Sequence, residues 1–205
     1  MTKTFEFWFD FGSPASYLAW TQLGSIEAAT GATVALKPML LGGVFQATGN
    51  HSPATIPVKG RYTFVDFDRF ARRYGVPLRY NPHFPINTLL LMRGAVGMQL
   101  RDPGRFPDYC AAMFRAIWVD ALDMNDPAVV GRALHQAGFD AQALLALSQE
   151  PDVKAALKAA TDEAVARGVF GDLSWVERRA LSDGPQAFQD LHHGRTAAAK
   201  VVLQP

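Results

Sequence analysis

The fold of this chain is decided by the stretch TFEFWFDFGSPASYL, residues 4–18. Its first eight residues are mostly aromatic, with polar residues only at alternate positions, which predicts a buried or half-buried strand over 4–11. Gly12 breaks the strand, Ser13 suits the N-cap of a helix, and Pro14 suits its first turn. The stretch therefore predicts a strand that leads directly into a helix.

The following residues extend this pattern to a strand–helix–strand unit. Apolar residues recur at roughly helical spacing as far as Gly31, which predicts one helix over 14–30. Residues 32–38 (ATVALKP) then predict a second strand. The simplest arrangement is a parallel pair of strands with a right-handed crossover.

The rest of the chain is predicted to be mainly helical. Residues 42–58 are rich in Gly and Pro and predict irregular structure. A helix is expected from Lys59 to Gly75, and further helices are expected at about 86–101, 105–121, 126–138, 140–149 and 151–167. In the C-terminal segment, residues 172–190 show little alternation and only 200–203 (KVVL) is strand-like. The order of elements indicates a small α/β sheet interrupted by a helical insertion.

Composition excludes several classes of function. The chain has 205 residues, of which 49% are hydrophobic and 19% charged, as in a packed globular protein. Its 20 Lys and Arg residues are scattered among 19 Asp and Glu residues, so the sequence predicts no extended basic surface that could bind a nucleic acid. The apolar runs are well short of the roughly 20 residues that cross a bilayer. We expect a cytoplasmic protein that binds neither nucleic acids nor membranes.

The cysteine content restricts redox chemistry. Cys110 is the single cysteine, which excludes an intramolecular disulfide and a two-cysteine redox motif. It lies in the apolar run YCAAMF (109–114), which predicts a buried thiol. No cluster of His, Asp or Glu has the spacing of metal ligands, so no metal is expected.

The junction at Ser13 is the most specific candidate site. Redox proteins place Cys-x-x-Cys where a strand passes into a helix, and this chain has Ser13-x-x-Ser16 at that place. Serine cannot exchange disulfides, but its hydroxyl can hydrogen-bond a thiolate that a ligand brings in, and a helix N-terminus favours an anion. From these residues alone, a purely structural N-cap role for Ser13 stays open.

The opening motif resembles that of the 2-hydroxychromene-2-carboxylate isomerases, which are relatives of the kappa-class glutathione transferases. The resemblance continues through separate motifs in the same order and covers about the first 171 residues. These motifs are KPMLLG (37–42), TGN (48–50), IPVKGRY (56–62), FARRYGVP (70–77), HFPINT (83–88) and ARGVFG (166–171).

The resemblance implies an α/β, thioredoxin-like fold with a large all-helical insertion, in a homodimer that uses glutathione. Residues 1–45 and 151–205 would form the thioredoxin-like domain, and residues 46–150 the helical insertion domain. Ser13 would stabilise the glutathione thiolate, and Asn50 and Lys59 would contact glutathione, the lysine by attraction to a carboxylate. Asn87 would belong to the substrate cavity. By themselves, Asn50 is typical of a turn and Lys59 of a solvated side chain.

The implied reaction is a reversible isomerisation of a small aromatic intermediate. The glutathione thiolate would add to the substrate double bond, the chromene ring would open and rotate, and elimination would leave a trans-alkene and free glutathione. One alternative is a kappa-like glutathione transferase, which joins glutathione permanently to an electrophile. Another is a degenerate thioredoxin-fold binding protein with an impaired glutathione site.

The chain departs from the family pattern after Gly171. Relatives continue with a cis-proline, two closing strands and a Gly-x-Asp-Arg turn, whereas here Asp172 follows and the next proline is Pro185. No site residue is therefore assigned in this segment. One hypothesis is a reading-frame slip, because a permitted back-translation of residues 171–189, read one base on, resembles the family's closing strand and turn. Sequencing the gene tests this hypothesis.

Overall fold

The computed structural model describes residues 4–169 and the backbone of two further strands, 177–180 and 201–204. Strand β1 (Thr4–Phe9) pairs in parallel with β2 (Thr33–Pro38), from Thr4 opposite Thr33 to Phe9 opposite Pro38. The predicted parallel pair is thus confirmed. Ser13 is the N-cap of the helix that follows β1, and Pro14 is its first residue, also as predicted.

The single helix predicted over 14–30 is wrong, because the chain forms two helices, α1 (Pro14–Trp20) and α2 (Leu23–Thr30). At the break, the Thr21 hydroxyl donates to the Leu18 carbonyl oxygen (2.6 Å). The Gln22 N–H bonds to Ala19, three residues back, so the last turn tightens and the first helix ends. The spacing of apolar residues could not show that the Thr21 hydroxyl takes a backbone carbonyl oxygen of the helix as its acceptor.

The irregular structure predicted over 42–58 is wrong in its first part, where helix α3 (Leu41–Thr48) forms. Its first N–H, that of Leu41, donates to the buried carboxylate of Asp10 (2.8 Å). Gly43 permits close packing, since a Cβ atom there would lie 3.0 Å from the Thr161 methyl group. Gly49 ends the helix in the left-handed conformation with φ of 67°. Tertiary contacts thus stabilise a helix in a glycine-rich sequence.

The other predicted helices are confirmed, with ends that differ by a few residues. A short 3-10 turn (Pro53–Thr55) precedes α4 (Pro57–Tyr74), which ends at Gly75. The remaining helices are α5 (Leu89–Arg101), α6 (Phe106–Trp118), α7 (Pro127–Gln136), α8 (Ala141–Gln149) and α9 (Pro151–Ala166).

The second half of strand β1, residues 7–9, is buried on both faces. Phe7 and Phe9 belong to the larger core, where Phe9 and Phe114 of α6 have ring centroids 5.8 Å apart. Trp8 points the other way, into a smaller core with α3 and α9. Burying each of these large side chains contributes roughly 1.5–3 kcal/mol. The two cores therefore fix the end of β1, and with it the start of α1.

In the C-terminal segment, β3 (Glu177–Ala180) pairs in parallel with β4 (Val201–Gln204). The strand-like character of residues 200–203 is confirmed. The sequence analysis predicted no strand at 177–180, because ERRA does not alternate apolar and polar residues. This strand is recognised only by its pairing with β4. The residues immediately after Gly171, where the chain departs from the family pattern, lie outside the described residues.

Two further predictions concern the chain as a whole. Among residues 4–169, no helix is long and apolar enough to cross a membrane. The division into a domain of 1–45 with 151–205 and an insertion of 46–150 stays a prediction.

Candidate functional site

A cavity of about 960 Å³ opens where β1 passes into α1. Its wall is built by the β1–α1 junction, the start of α3, the 3-10 turn, the first half of α4 and the loop before α5. The lining residues include Gly12, Pro14, Leu41, Phe45, Thr55, Gly60, Arg61, Phe64, Tyr80, Phe84, Ile86 and Thr88. This volume lies within the usual range of small-molecule sites.

Ser13 is held between two residues of the cavity wall, Gly12 and Pro14, and is 1% exposed. Its Oγ accepts a hydrogen bond from the Ser16 N–H at 3.0 Å, and its own N–H donates to the Asp10 carbonyl oxygen at 3.1 Å. Within residues 4–169, no acceptor is recorded for the Ser13 O–H proton. The structure therefore confirms the capping role of Ser13, and a hydrogen bond from its hydroxyl to a ligand stays a prediction.

Asp10 is a site residue to which the sequence analysis gave no role. Its side chain is buried, and one carboxylate oxygen accepts the Gly12 N–H (2.8 Å) and the Thr88 hydroxyl (2.7 Å). The other oxygen accepts the Leu41 N–H at 2.8 Å. Asp10 thereby joins the β1–α1 junction, the start of α3 and the start of α5. The available signal was a lone carboxylate between two phenylalanines at the end of a buried strand.

The electrostatic state of Asp10 is set by opposing effects. Burial raises the pKa of its carboxyl group, and the hydrogen bonds from Gly12, Leu41 and Thr88 act to lower it. Burial outweighs the donors, so the pKa lies above its ordinary value. Because its oxygens are engaged by these donors, Asp10 orders the cavity wall and is not placed to take a proton from Ser13.

One side of the cavity is aromatic. The rings of Phe64 and Tyr80 meet edge to face with centroids 4.5 Å apart, and Phe64 and Phe84 meet in the same way at 5.9 Å. Arg61 lies one turn before Phe64 on α4 and also lines the cavity. Among the described residues, no carboxylate forms a salt bridge with Arg61. The wall can thus take a flat ring beside a negative charge.

None of the four predicted site residues is among the residues that line the cavity: Ser13 is buried next to it, and the other three are exposed. Asn50 follows the end of α3, and Lys59 lies in the first turn of α4 beside Gly60 and Arg61, which do line it. The Asn87 side-chain oxygen accepts the Leu89 N–H (3.2 Å) at the start of α5. Their roles toward glutathione and substrate stay predictions.

Cys110 is fully buried in α6, and burial raises the pKa of its thiol well above the ordinary value. We expect no reaction of native protein with a thiol reagent at pH 8, and complete labelling after unfolding in guanidinium. A colorimetric thiol assay with both samples measures this. Rapid labelling of the native protein would contradict the burial of Cys110.

Among the described residues, no group of His, Cys, Asp or Glu is placed to hold a metal ion.

Comparisons with known proteins identify the family of this chain. The family model of the DSBA-like thioredoxin domain matches residues 4–172, so the match ends where the sequence analysis found the departure. The 2-hydroxychromene-2-carboxylate isomerase of Sphingobium xenophagum is 30% identical over 83% of this chain and 87% of its own. Glutathione S-transferase kappa 1 of Homo sapiens is 26% identical over 83% and 79%.

A solved structure shares the fold. A 2-hydroxychromene-2-carboxylate isomerase superposes with a TM-score of 0.72 at 26% identity, over 82% of each chain. The predicted fold class, a thioredoxin-like domain with a helical insertion, is thereby confirmed. The chain belongs to the DSBA-like thioredoxin domain family, and within it to the group that contains 2-hydroxychromene-2-carboxylate isomerase and the kappa-class glutathione transferases.

Proposed function

We propose that this protein is a glutathione-dependent isomerase of 2-hydroxychromene-2-carboxylate-type intermediates of aromatic degradation. The observation that carries the proposal is the position of Ser13, buried beside a cavity of about 960 Å³ with an aromatic wall and a cation. Relatives that share the family include an isomerase of this name and kappa-class glutathione transferases. The cytoplasmic location and the homodimer remain predictions from the sequence.

The residues present suit glutathione. When bound, glutathione supplies the nucleophilic sulfur, which neither Ser13 nor the buried Cys110 can provide. The Ser13 O–H can donate to that sulfur and lower the pKa of the thiol, since a hydrogen bond to the charged form favours it. Because α1 has only seven residues, we assign this effect to the hydroxyl and not to a helix dipole.

The cavity wall suits an aromatic carboxylate. The edges of Phe64, Tyr80 and Phe84 form an apolar surface for the planar ring. Arg61 can pair with the substrate carboxylate through two parallel hydrogen bonds. Together these residues would hold the ring and its charge in one orientation while the sulfur lies beside Ser13.

The test is an assay of the purified chain with 2-hydroxychromene-2-carboxylate and catalytic amounts of reduced glutathione. We expect formation of the open trans-alkene only when glutathione is present, with all free thiol recovered at the end. Loss of one free thiol per product would show a transferase instead. A folded protein without glutathione-dependent turnover and without glutathione binding would support the degenerate binding protein.

Substitution of two cations on α4 tests two separate predictions: Lys59, which the sequence analysis assigned to glutathione, and Arg61, which lines the cavity. Arg61→Gln is expected to raise KM for the chromene about tenfold or more, because it removes a charged hydrogen-bond pair at the cavity wall. Lys59→Gln is expected to raise KM for glutathione only about two- to fivefold, since exposed ion pairs are weak.

Steady-state kinetics with each substrate varied in turn measures both effects. Arg73→Gln, an exposed change in the last turn of the same helix, is the control and should alter neither KM. If Arg61→Gln raises only KM for glutathione, Arg61 binds the tripeptide and not the substrate.

A further inference from the structure

A second cleft of about 370 Å³ lies on the opposite side of α3 from the large cavity. The two openings share this one helix as a wall. Leu41, Gly42 and Phe45 face the large cavity, whereas Leu40, Gly43 and Ala47 line the second cleft with parts of α5 and α9. The second cleft uses neither Ser13 nor Arg61, so it is a separate site.

The floor and the rim of this cleft differ in character. Leu40, Leu89 and Leu157 supply an apolar floor. Arg93 of α5 and Lys154 of α9 line the same cleft, and both are half-buried. An apolar floor beside cations is a combination that suits an organic anion with an apolar body.

The charges of the cleft are only partly balanced. Lys158, also in the lining, is paired with Asp162 at 2.5 Å. Arg93 and Lys154 form no salt bridge with any carboxylate of the described residues. Partial burial of two unpaired cations is unfavourable, and an anion between α5 and α9 would compensate for it.

We propose that this cleft binds a small apolar carboxylate, such as an aromatic monocarboxylate. The Arg93 guanidinium would hold the carboxylate through two hydrogen bonds and Lys154 would add a point charge. The leucine floor would cover the hydrocarbon part, which inorganic phosphate lacks. This proposal does not rest on the isomerase activity, because it concerns binding at residues outside the large cavity.

The cleft is also connected to the Asp10 network. The Leu40 N–H donates to the Thr161 hydroxyl (3.0 Å) on the cleft side, and the next N–H, that of Leu41, donates to Asp10 (2.8 Å). A ligand that contacts Thr161 would therefore lie next to the same turn of α3 that Asp10 holds.

The test is a titration of the isotope-labelled full chain with 2-naphthoate, followed by amide chemical shifts. We expect saturable shifts at Gln46, Lys158 and Thr161, with a Kd of about 1 mM, as for a small ligand of this size. Arg93→Gln combined with Lys154→Gln should weaken this binding roughly tenfold or more. Arg61→Gln should leave it unchanged, because Arg61 lines the other cavity.

A steric variant makes the test independent of charge. Ala47→Phe is expected to fill the cleft from the exposed face of α3 and abolish the shifts while the spectrum stays folded. The proposal is overturned if the shifts occur only at Gly60, Arg61 and Ile86, which line the large cavity. It is also overturned if the double variant binds as tightly as the wild type, or if inorganic phosphate binds more tightly than 2-naphthoate.

Discussion

Replacing Ser13 with alanine is expected to lower the glutathione-dependent rate at neutral pH by roughly 10- to 100-fold. A hydrogen bond from a hydroxyl to a charged atom stabilises it by about 1.5–3 kcal/mol, and loss of that bond raises the pKa of the bound thiol by about one to two units. Less thiolate is then available at neutral pH. The pH–rate profile should therefore move to higher pH, and the rate should partly recover in alkaline buffer.

The ultraviolet absorbance of bound thiolate, titrated against pH, measures the pKa directly. Asp140→Ala is a matched control, because Asp140 caps α8 by accepting the N–H groups of Gln142 (2.9 Å) and Ala143 (3.1 Å). Each substitution removes one N-cap, worth about 1 kcal/mol of stability. Only Ser13→Ala should move the pKa. An unchanged thiol pKa and rate in Ser13→Ala would show that Ser13 is only a cap.

Ser13→Thr gives a second comparison, since threonine keeps both the cap and the hydroxyl. It is expected to retain the low thiol pKa, while its added methyl group, in a position that is 1% exposed, costs some stability. If alanine and threonine variants lose activity equally, packing at the β1–α1 junction is the cause. The hydroxyl would then have no special role.

The elements that the sequence predicted correctly are those whose pattern is local. Strand β1, the cap at Ser13 and the amphipathic helix α4 each carry their signal within a few residues. Helix α3 was missed because its first N–H is held by Asp10, a residue 31 positions earlier. A contact over that distance leaves no trace in the glycine-rich sequence of α3 itself.

The sequence likewise indicated only a part of the candidate site. The resemblance gave the position of Ser13, but it could not show which side chains of α4 face the cavity. Lys59 and Arg61 are two residues apart, about 200° around a helix, and only Arg61 lines the cavity. The second cleft left no signal, because its two cations without a salt bridge, Arg93 and Lys154, come from helices that are far apart in the sequence.

Replacing Asp10 with alanine is expected to lower the free energy of unfolding by about 3 kcal/mol. The change leaves the N–H groups of Gly12 and Leu41 and the hydroxyl of Thr88 without their acceptor. Each buried donor left unpaired costs about 1–3 kcal/mol, and relief of the buried charge offsets a part of this sum. Thr88→Val, the matched control, removes one of the bonds and should cost only about 1 kcal/mol. Urea unfolding of both variants measures the difference.

Asp10→Asn tests the charge with little change in shape. The amide oxygen can still accept from Gly12 and Thr88, but its NH₂ group then faces the Leu41 N–H, donor against donor. Because burial raises the pKa of Asp10 in the folded state, the folded protein holds the proton more tightly than the unfolded chain. The stability of the wild type relative to Asp10→Asn should therefore be greatest below the unfolded pKa of about 3.9 and fall as pH rises through the folded pKa. A relative stability that rises with pH instead would show that the three donors outweigh burial.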